Sequence, residues 1–178
     1  MRSGIENINA AVATEKGIIV SNSPGRVSEP VADFTVALML VEARNIVRDS
    51  LNYTKGVWKG IDPNDSVNTA LRNHTAGLVG LGMIGKKVAA RLKPFGVKVL
   101  AYDPFCTKES AEEAGVELVT LEELCKRSDY ISVHARLSEE TKNLIGEKEF
   151  NLMKPTAIFI NTARAGLVDE AALVKALQ

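Results

Sequence analysis

From residue 76 onward, short apolar runs alternate with longer polar stretches that carry apolar residues every three or four positions. Ala76 to Leu81, Lys98 to Asp103, Val116 to Thr120, Tyr130 to His134 and Ala157 to Thr162 have the length and composition of buried strands. Ile84, Val88 and Leu92 recur at i, i+4 and i+8 and predict a helix, with Pro94 in its last turn and Gly96 as its stop. Cys106 to Ala114 predicts a short helix. Leu121 to Arg127 predicts another, opened by Thr120 with its capping-box partner Glu123 three residues on. Ser138 to Ile145 predicts a turn and a short helix, and Asp169 begins a last helix to Leu177. This alternation predicts an α/β fold: a doubly wound parallel sheet with helices on both faces.

The first 75 residues have a different pattern. Ala10 to Lys16 predicts a short helix stopped by Gly17, and Gly17 to Asn22 a short strand. Ser23-Pro24-Gly25-Arg26 is a turn. Ser28 suits a helix N-cap, with Glu29 and Asp33 in the first turn. From Val31 to Val41 that helix is apolar almost all round, with Asp33 as its only charge. A helix apolar on every side is buried on more than one side, under its own sheet and loops or against a second subunit. Arg44 to Asp49 continues it in a more polar vein. Trp58 fits a packing residue better than a ligand platform. Ile61 to Asn73 is polar and predicts a loop.

The chain is organised around Thr75-Ala76-Gly77-Leu78-Val79-Gly80-Leu81-Gly82-Met83-Ile84-Gly85. A strand runs into G-x-G-x-x-G and then into a helix. Gly80 permits a tight turn, Gly82 lets a phosphate approach the backbone, and Gly85 lets helix and strand pack closely. The helix N-terminus offers free N–H groups and a positive dipole end to a pyrophosphate. Glycines cluster in ordinary turns too, so the following strand decides: it ends in Asp103, 18 residues after Gly85. A carboxylate at about that spacing accepts the adenosine ribose hydroxyls and repels a 2′-phosphate, which favours NAD over NADP. The competing reading is that Asp103 merely opens the turn Asp103-Pro104.

At 178 residues the chain suits a domain with a sizeable core. Lysine plus arginine equals aspartate plus glutamate at 22 each, which gives no support for nucleic acid or an anionic membrane as partner. The longest apolar run, Val36 to Val41, is far too short to span a bilayer. Cys106 and Cys125 form no C-x-x-C pair and read as free thiols of a cytoplasmic protein. No metal-ligand spacing and no Ser-His-Asp arrangement is legible.

Ligands of open parallel sheets sit beyond the carboxyl ends of the strands. Those ends carry Gly80, Asp103, His134-Ala135 and Thr162-Ala163-Arg164. Arg164 lies between small residues, Ala163 and Ala165, next to Gly166, which leaves room for a ligand beside a guanidinium suited to bidentate carboxylate binding. On its own it reads better as a solvated surface arginine. His134 reads as a hydrogen-bonded structural histidine, and His74 as exposed.

These residues resemble the D-isomer-specific 2-hydroxyacid dehydrogenases. The resemblance covers nearly the whole chain. It rests on Gly77 to Gly85, Ala101-Tyr102-Asp103-Pro104, Ser128-Asp129 through Val133-His134, Glu140 to Ile145, and above all Met153 to Asp169. It implies a Rossmann-type NAD-binding domain. Arg164 matches the catalytic arginine, which binds the substrate carboxylate and polarises the reacting carbonyl. Asp103 matches the ribose ligand, and Met83 and Ile84 match the pair over the pyrophosphate. Ala135, Thr141, Thr162 and Ala163 match positions that line the cofactor. Ser3 and Gly4 fall near the substrate-carboxylate loop. The family dimerises through its cofactor domain with the long helix before the glycine loop, which corresponds to Val31 to Val41.

The departures are as informative. The family completes its site with a glutamate and then a histidine downstream of the arginine. Neither has a counterpart among the 14 residues after Arg164, and His134 does not match that histidine. Arg136 stands where relatives usually have proline, and Met83 where many have arginine. The resemblance therefore implies a truncated cofactor domain, with residues 1–22 a remnant of the preceding substrate-domain loop and residues 23–178 the NAD-binding unit. The parent protein is expected to transfer a hydride between NAD and a small 2-hydroxy or 2-keto acid, and this chain alone to be inactive. The alternative is an NAD-sensing, corepressor-like module that dimerises without catalysis.

Overall fold

The computed structural model describes residues 4, 8–58 and 70–178. Five parallel strands form one sheet: β1 (Thr75–Val79), β2 (Lys98–Tyr102), β3 (Glu117–Leu118), β4 (Tyr130–Val133) and β5 (Ile158–Asn161). Their order is β3-β2-β1-β4-β5. The glycine strand β1 is central, with Gly77 opposite Leu100 on one side and Ile131 on the other. The chain winds outward from β1 in both directions, so the sheet has its switch point between β1 and β4, where such folds bind ligands.

Alternation along β1 divides the core. Ala76 and Leu78 face α2 (Ser28–Ala43) and α4 (Met83–Leu92), packing with Ala32, Val36, Met39, Val88, Ala89 and Leu92. Val79, with Ile131 and Val133 of β4, faces the other layer of Leu124, Ile145 and Leu167. Leu124 belongs to α6 (Leu121–Arg127), and Phe150 of α7 (Glu147–Leu152) and Leu173 of α8 (Glu170–Ala176) pack against the same cluster. Gly77 explains itself here: a Cβ would lie 2.3 Å from Ser128 Oγ and 2.6 Å from Leu124 Cδ2. The close seat of α6 on β1 needs a residue without a side chain.

At the other end of the strands, Asp129 accepts the Thr75 N–H at 2.8 Å and pairs with Lys154 at 2.8 Å. Burial works against its charge, but Lys154 and the Thr75 N–H outweigh that and hold its pKa below the ordinary value. The helix α2 is fastened to α4 by Glu29, which meets Lys87 and Arg91, and by Asp33, 2.6 Å from Arg91 Nε.

Apart from the short helix within Ser138 to Ile145, the elements expected from residue 75 onward are present, several with shorter ends. The helix from Cys106 starts at Lys108 because Thr107 caps it, so α5 is Lys108–Ala114. The capping box of Thr120 and Glu123 forms as expected. Ser138 to Ile145 is turns without a helix, while the sequence reading missed α7. His74, expected to be exposed, is half-buried edge-on against Tyr130.

The N-terminal third departs further. The helix α1 (Ala10–Glu15) forms, but Gly17 to Asn22 is not a strand. The Ile18 N–H instead closes α1 by bonding to Ala13 O, and the segment joins neither edge strand, β3 or β5. Ile19 is left 93% exposed. Ser28 is the first residue of α2 rather than its cap, and its hydroxyl donates back to Gly25 O. The polar continuation breaks at Asn45, whose φ of 52° ends one helix and starts α3 (Ile46–Thr54). Trp58 is 74% exposed and packs on the Tyr53 ring. Most of the expected loop from Ile61 lies outside the described residues.

Candidate functional site

The carboxyl ends of β1, β2, β4 and β5 bring the candidate residues to one edge of the sheet. The turn after β1 is built as its three glycines require. Gly80 has φ of +101°, and a Cβ there would lie 2.7 Å from the backbone nitrogen of Ala135. A Cβ on Gly85 would lie 2.3 Å from the carbonyl oxygen of Gly80. Both sites are closed to side chains by backbone. Gly82 is the opposite: nothing lies within 4 Å of its missing Cβ. Gly82 is also the N-cap of α4, and no side chain caps the helix. The first N–H groups of an α-helix have no partner within it, so Met83, Ile84 and Gly85 offer theirs at this uncapped end of α4. Such a cradle fits a pyrophosphate. Met83 is exposed, with its sulfur against Gly25, and Ile84 is half-buried against the core.

Asp103 closes the cradle on the β2 side. Its Oδ2 accepts the Leu81 N–H at 2.8 Å, and its Oδ1 accepts the Phe105 N–H at 2.9 Å. The carboxylate therefore both opens its turn and braces the glycine loop. Each oxygen keeps a lone pair for a diol.

On the β4 side, His134 and Ala135 pack against Gly80. His134 Nε2 lies 3.0 Å from Ser132 Oγ, the structural bond expected for it. Burial pushes its pKa down to about 4, so the ring is neutral at physiological pH. Thr141 works on its own loop: its hydroxyl donates to Arg136 O at 2.7 Å and accepts the Ser138 N–H at 2.8 Å. The Arg136 guanidinium is exposed.

Beyond β5, the turn of Thr162, Ala163 and Arg164 is held by a residue the sequence reading overlooked. Asn161 Oδ1 accepts the Ala163 N–H, and its Nδ2 donates to Arg164 O, both at 2.9 Å. Arg164 is exposed, with Nη1 donating to Ala163 O. Thr162 reaches Thr35 of α2 at 3.0 Å, a partner equally absent from the sequence reading. No spacing rule joins residues 127 apart. Asn161, by contrast, carried a signal: an amide at a strand end before small residues often ties its own turn. Gly4 is half-buried, and Ser3 lies outside the described residues. Among the described residues no group of His, Cys, Asp and Glu gathers to hold a metal ion.

A sheet of this order, with a glycine cradle on its central strand and an acid ending the next, defines a dinucleotide-binding domain. Residues 36–178 match the family model of the D-isomer specific 2-hydroxyacid dehydrogenase, NAD binding domain. The chain belongs to that family. It is 45% identical to D-3-phosphoglycerate dehydrogenase of Methanocaldococcus jannaschii, covering 98% of this chain and 33% of the relative. It is 44% identical to glyoxylate reductase of Thermococcus litoralis, covering 98% and 54%. Among solved structures it resembles D-lactate dehydrogenase from Aquifex aeolicus complexed with NAD and lactic acid, with a TM-score of 0.89, 34% identity, and coverage of 99% and 52%. The chain thus spans about a third to a half of the length of these relatives. Among the described residues no helix is long and apolar enough to cross a membrane.

Proposed function

We propose that this chain is the cofactor half of an oxidoreductase that moves a hydride between NAD and a small 2-hydroxy or 2-keto acid. NAD supplies the hydride acceptor. The chain's own residues hold and aim it: Gly80, Gly82, Met83, Ile84 and Gly85 at the phosphates, Asp103 at the adenosine ribose, and Ala135, Thr141, Thr162 and Ala163 along the walls. Arg164 binds the carboxylate of the acid and polarises the carbonyl beside it, with Ser3 and Gly4 on the substrate side. The observation that carries this reading is the exposed guanidinium of Arg164 on a turn that Asn161 fixes from both sides. A cation so placed meets a small anion without rearranging the backbone.

The resemblance assigns the proton to a histidine downstream of Arg164, oriented by a glutamate. The chain's two histidines, His74 and His134, are used in packing and in a bond to Ser132. This chain alone is therefore expected to bind NAD without turnover. We further infer that it works as a homodimer through the Val31–Val41 stretch of α2, where Phe34 is exposed. Its cysteines are unpaired, in keeping with the reducing cytoplasm. A corepressor-like module is the second reading, favoured by that same exposed helix.

Calorimetric titration of the chain with NADH and NADPH tests the cofactor reading. Saturable binding of NADH alone is expected. Reduction of glyoxylate, pyruvate or hydroxypyruvate by the complete protein tests the chemistry. Arg164→Gln is expected to raise KM for the keto acid about 10- to 100-fold, the loss of one charge-assisted pair. No turnover of any 2-keto acid by the complete protein leaves the regulatory reading.

A further inference from the structure

Thr35 and Thr162 are 127 residues apart in sequence, and their hydroxyl oxygens are 3.0 Å apart. Thr35 is fully buried in the middle of α2, and Thr162 is the half-buried residue that follows β5. A hydroxyl has one proton and two lone pairs. The Thr35 proton goes to the carbonyl oxygen of Val31 at 2.9 Å, and a carbonyl can only accept. Thr35 Oγ1 therefore has lone pairs alone to offer Thr162, and Thr162 must be the donor of the pair. With its proton committed to Thr35, the Thr162 hydroxyl has only acceptor capacity left for anything beyond the end of β5.

We propose that Thr35 is a positioning residue: it fixes the polarity of the Thr162 hydroxyl so that Thr162 accepts from the carboxamide –NH2 of the nicotinamide. This rests on the NAD reading above. The strand order supplies the placement. Asp103 ends β2 and the phosphate cradle follows β1, the next strand across. A dinucleotide laid over those two carries its other half onward over β4 and β5, where Thr162 lies. Ribose hydroxyls there can rotate to donate or accept, so an acceptor does not select among them. The carboxamide differs: one end can only donate and the other accepts. A fixed acceptor rejects the amide oxygen and so chooses which way round the carboxamide lies.

Burial of Thr35 sharpens the argument. Its neighbours on the buried side of α2 are Ala32, Val36 and Met39, and valine has nearly the same shape. A buried hydroxyl costs stability unless it is bonded. The bond to Val31 satisfies that cost within the helix. The second bond, across to β5, is the one that reaches the site.

The test is a binding titration of the chain with NAD+ and with its 3-acetylpyridine analogue, in which an acetyl group replaces the carboxamide and no N–H remains. The unaltered chain is expected to prefer NAD+. Thr35→Val frees the Thr162 hydroxyl to turn and donate to the analogue's acetyl oxygen, and should narrow the preference for NAD+ about three- to tenfold, the worth of one hydrogen bond. Thr35→Ser should restore the preference. Thr162→Val, which leaves the Thr35–Val31 bond intact, should abolish the preference even if Thr35→Val proves unfolded by circular dichroism. Equal weakening of both ligands by Thr35→Val, or no rescue by serine, overturns the proposal, since a merely structural threonine would give that result. Equal affinity of the unaltered chain for both ligands overturns it while leaving the NAD reading intact. Binding of neither ligand overturns both.

Discussion

The Asp103 carboxylate at the end of β2 accepts the backbone N–H of Leu81, inside the glycine loop, at 2.8 Å. One side chain therefore sets both the shape of the phosphate turn and the charge beside the ribose. The two duties separate by substitution. Asp103→Ala leaves the N–H of buried Leu81 without its acceptor, which costs about 1–3 kcal/mol of stability. Asp103→Asn keeps an oxygen for Leu81 but removes the negative charge. The amide variant is expected to melt closer to the unaltered chain than the alanine variant, yet to lose discrimination against NADPH. Thermal melts with paired NADH and NADPH titrations check this. Continued rejection of NADPH by Asp103→Asn would count against the charge as its cause.

The three cradle glycines are predicted to fail differently. Gly82→Ala puts a methyl into open space, so the melting temperature should stay within about 2 °C of the unaltered value. NADH affinity should fall at least about tenfold, because the methyl occupies the room a phosphate needs. Gly85→Ala drives a Cβ onto the Gly80 carbonyl. Backbone must move there, and a loss of about 1–3 kcal/mol is expected from overpacking. An intact melt with lost binding for Gly82→Ala, beside a lowered melt for Gly85→Ala, is the expected pair. Unimpaired NADH binding by Gly82→Ala would mean that phosphate does not approach there.

The sheet and its site were legible where local pattern and tertiary need coincide. Gly80, Gly82 and Gly85 stand at fixed spacing because a turn, a ligand and a helix each press on one backbone position. Thr120 and Glu123 cap a helix by contacts four residues wide. The N-terminal third was misread because its local pattern has no partner to act on. Gly17 to Asn22 carries a short apolar run like a strand, but it pairs with neither edge of the described sheet. Asn45 takes a left-handed conformation in the middle of an apparently continuous helix. The Thr35–Thr162 bond was invisible because only the fold brings those hydroxyls together. The bracing of its own turn by Asn161 is local, and an amide at a strand end before small residues was its signal.

His134 gives the protein an acid-sensitive component. Burial pushes its pKa from 6.5 down to about 4. The unfolded chain takes up this proton below about pH 6.5, whereas the folded protein resists until about pH 4. Stability is therefore full above pH 6.5 and declines as pH falls through that window, by about 3 kcal/mol at its lower end. His134→Gln keeps a group able to bond Ser132 and should flatten this part of the profile. Melting temperature against pH for the two proteins is the measurement. Parallel slopes between pH 4 and 6.5 would mean that His134 titrates as it does in the unfolded chain.

The outer side of α2 predicts self-association. Pro30, Phe34 and Leu38 recur every fourth residue and, with Val27 and Val31, line a groove of 420 Å³ that ends at Asn161 and Thr162. Phe34 is 58% exposed, so within one chain its ring contributes little. In a two-fold interface each such residue counts twice, and covering one phenylalanine is worth about 1.5–3 kcal/mol. Sedimentation equilibrium should give twice the 19.2 kDa chain mass. Phe34→Glu should give the monomer with unchanged circular dichroism, because the substituted side chain lies outside the core. A dimer that survives Phe34→Glu would place the contact elsewhere on the molecule. Because Thr162 borders the same groove, the monomeric variant also reports on coupling. Weaker NADH binding by Phe34→Glu, with its melt intact, would show that the paired helix helps hold the end of β5 in place. Equal binding would show that each chain holds its cofactor alone.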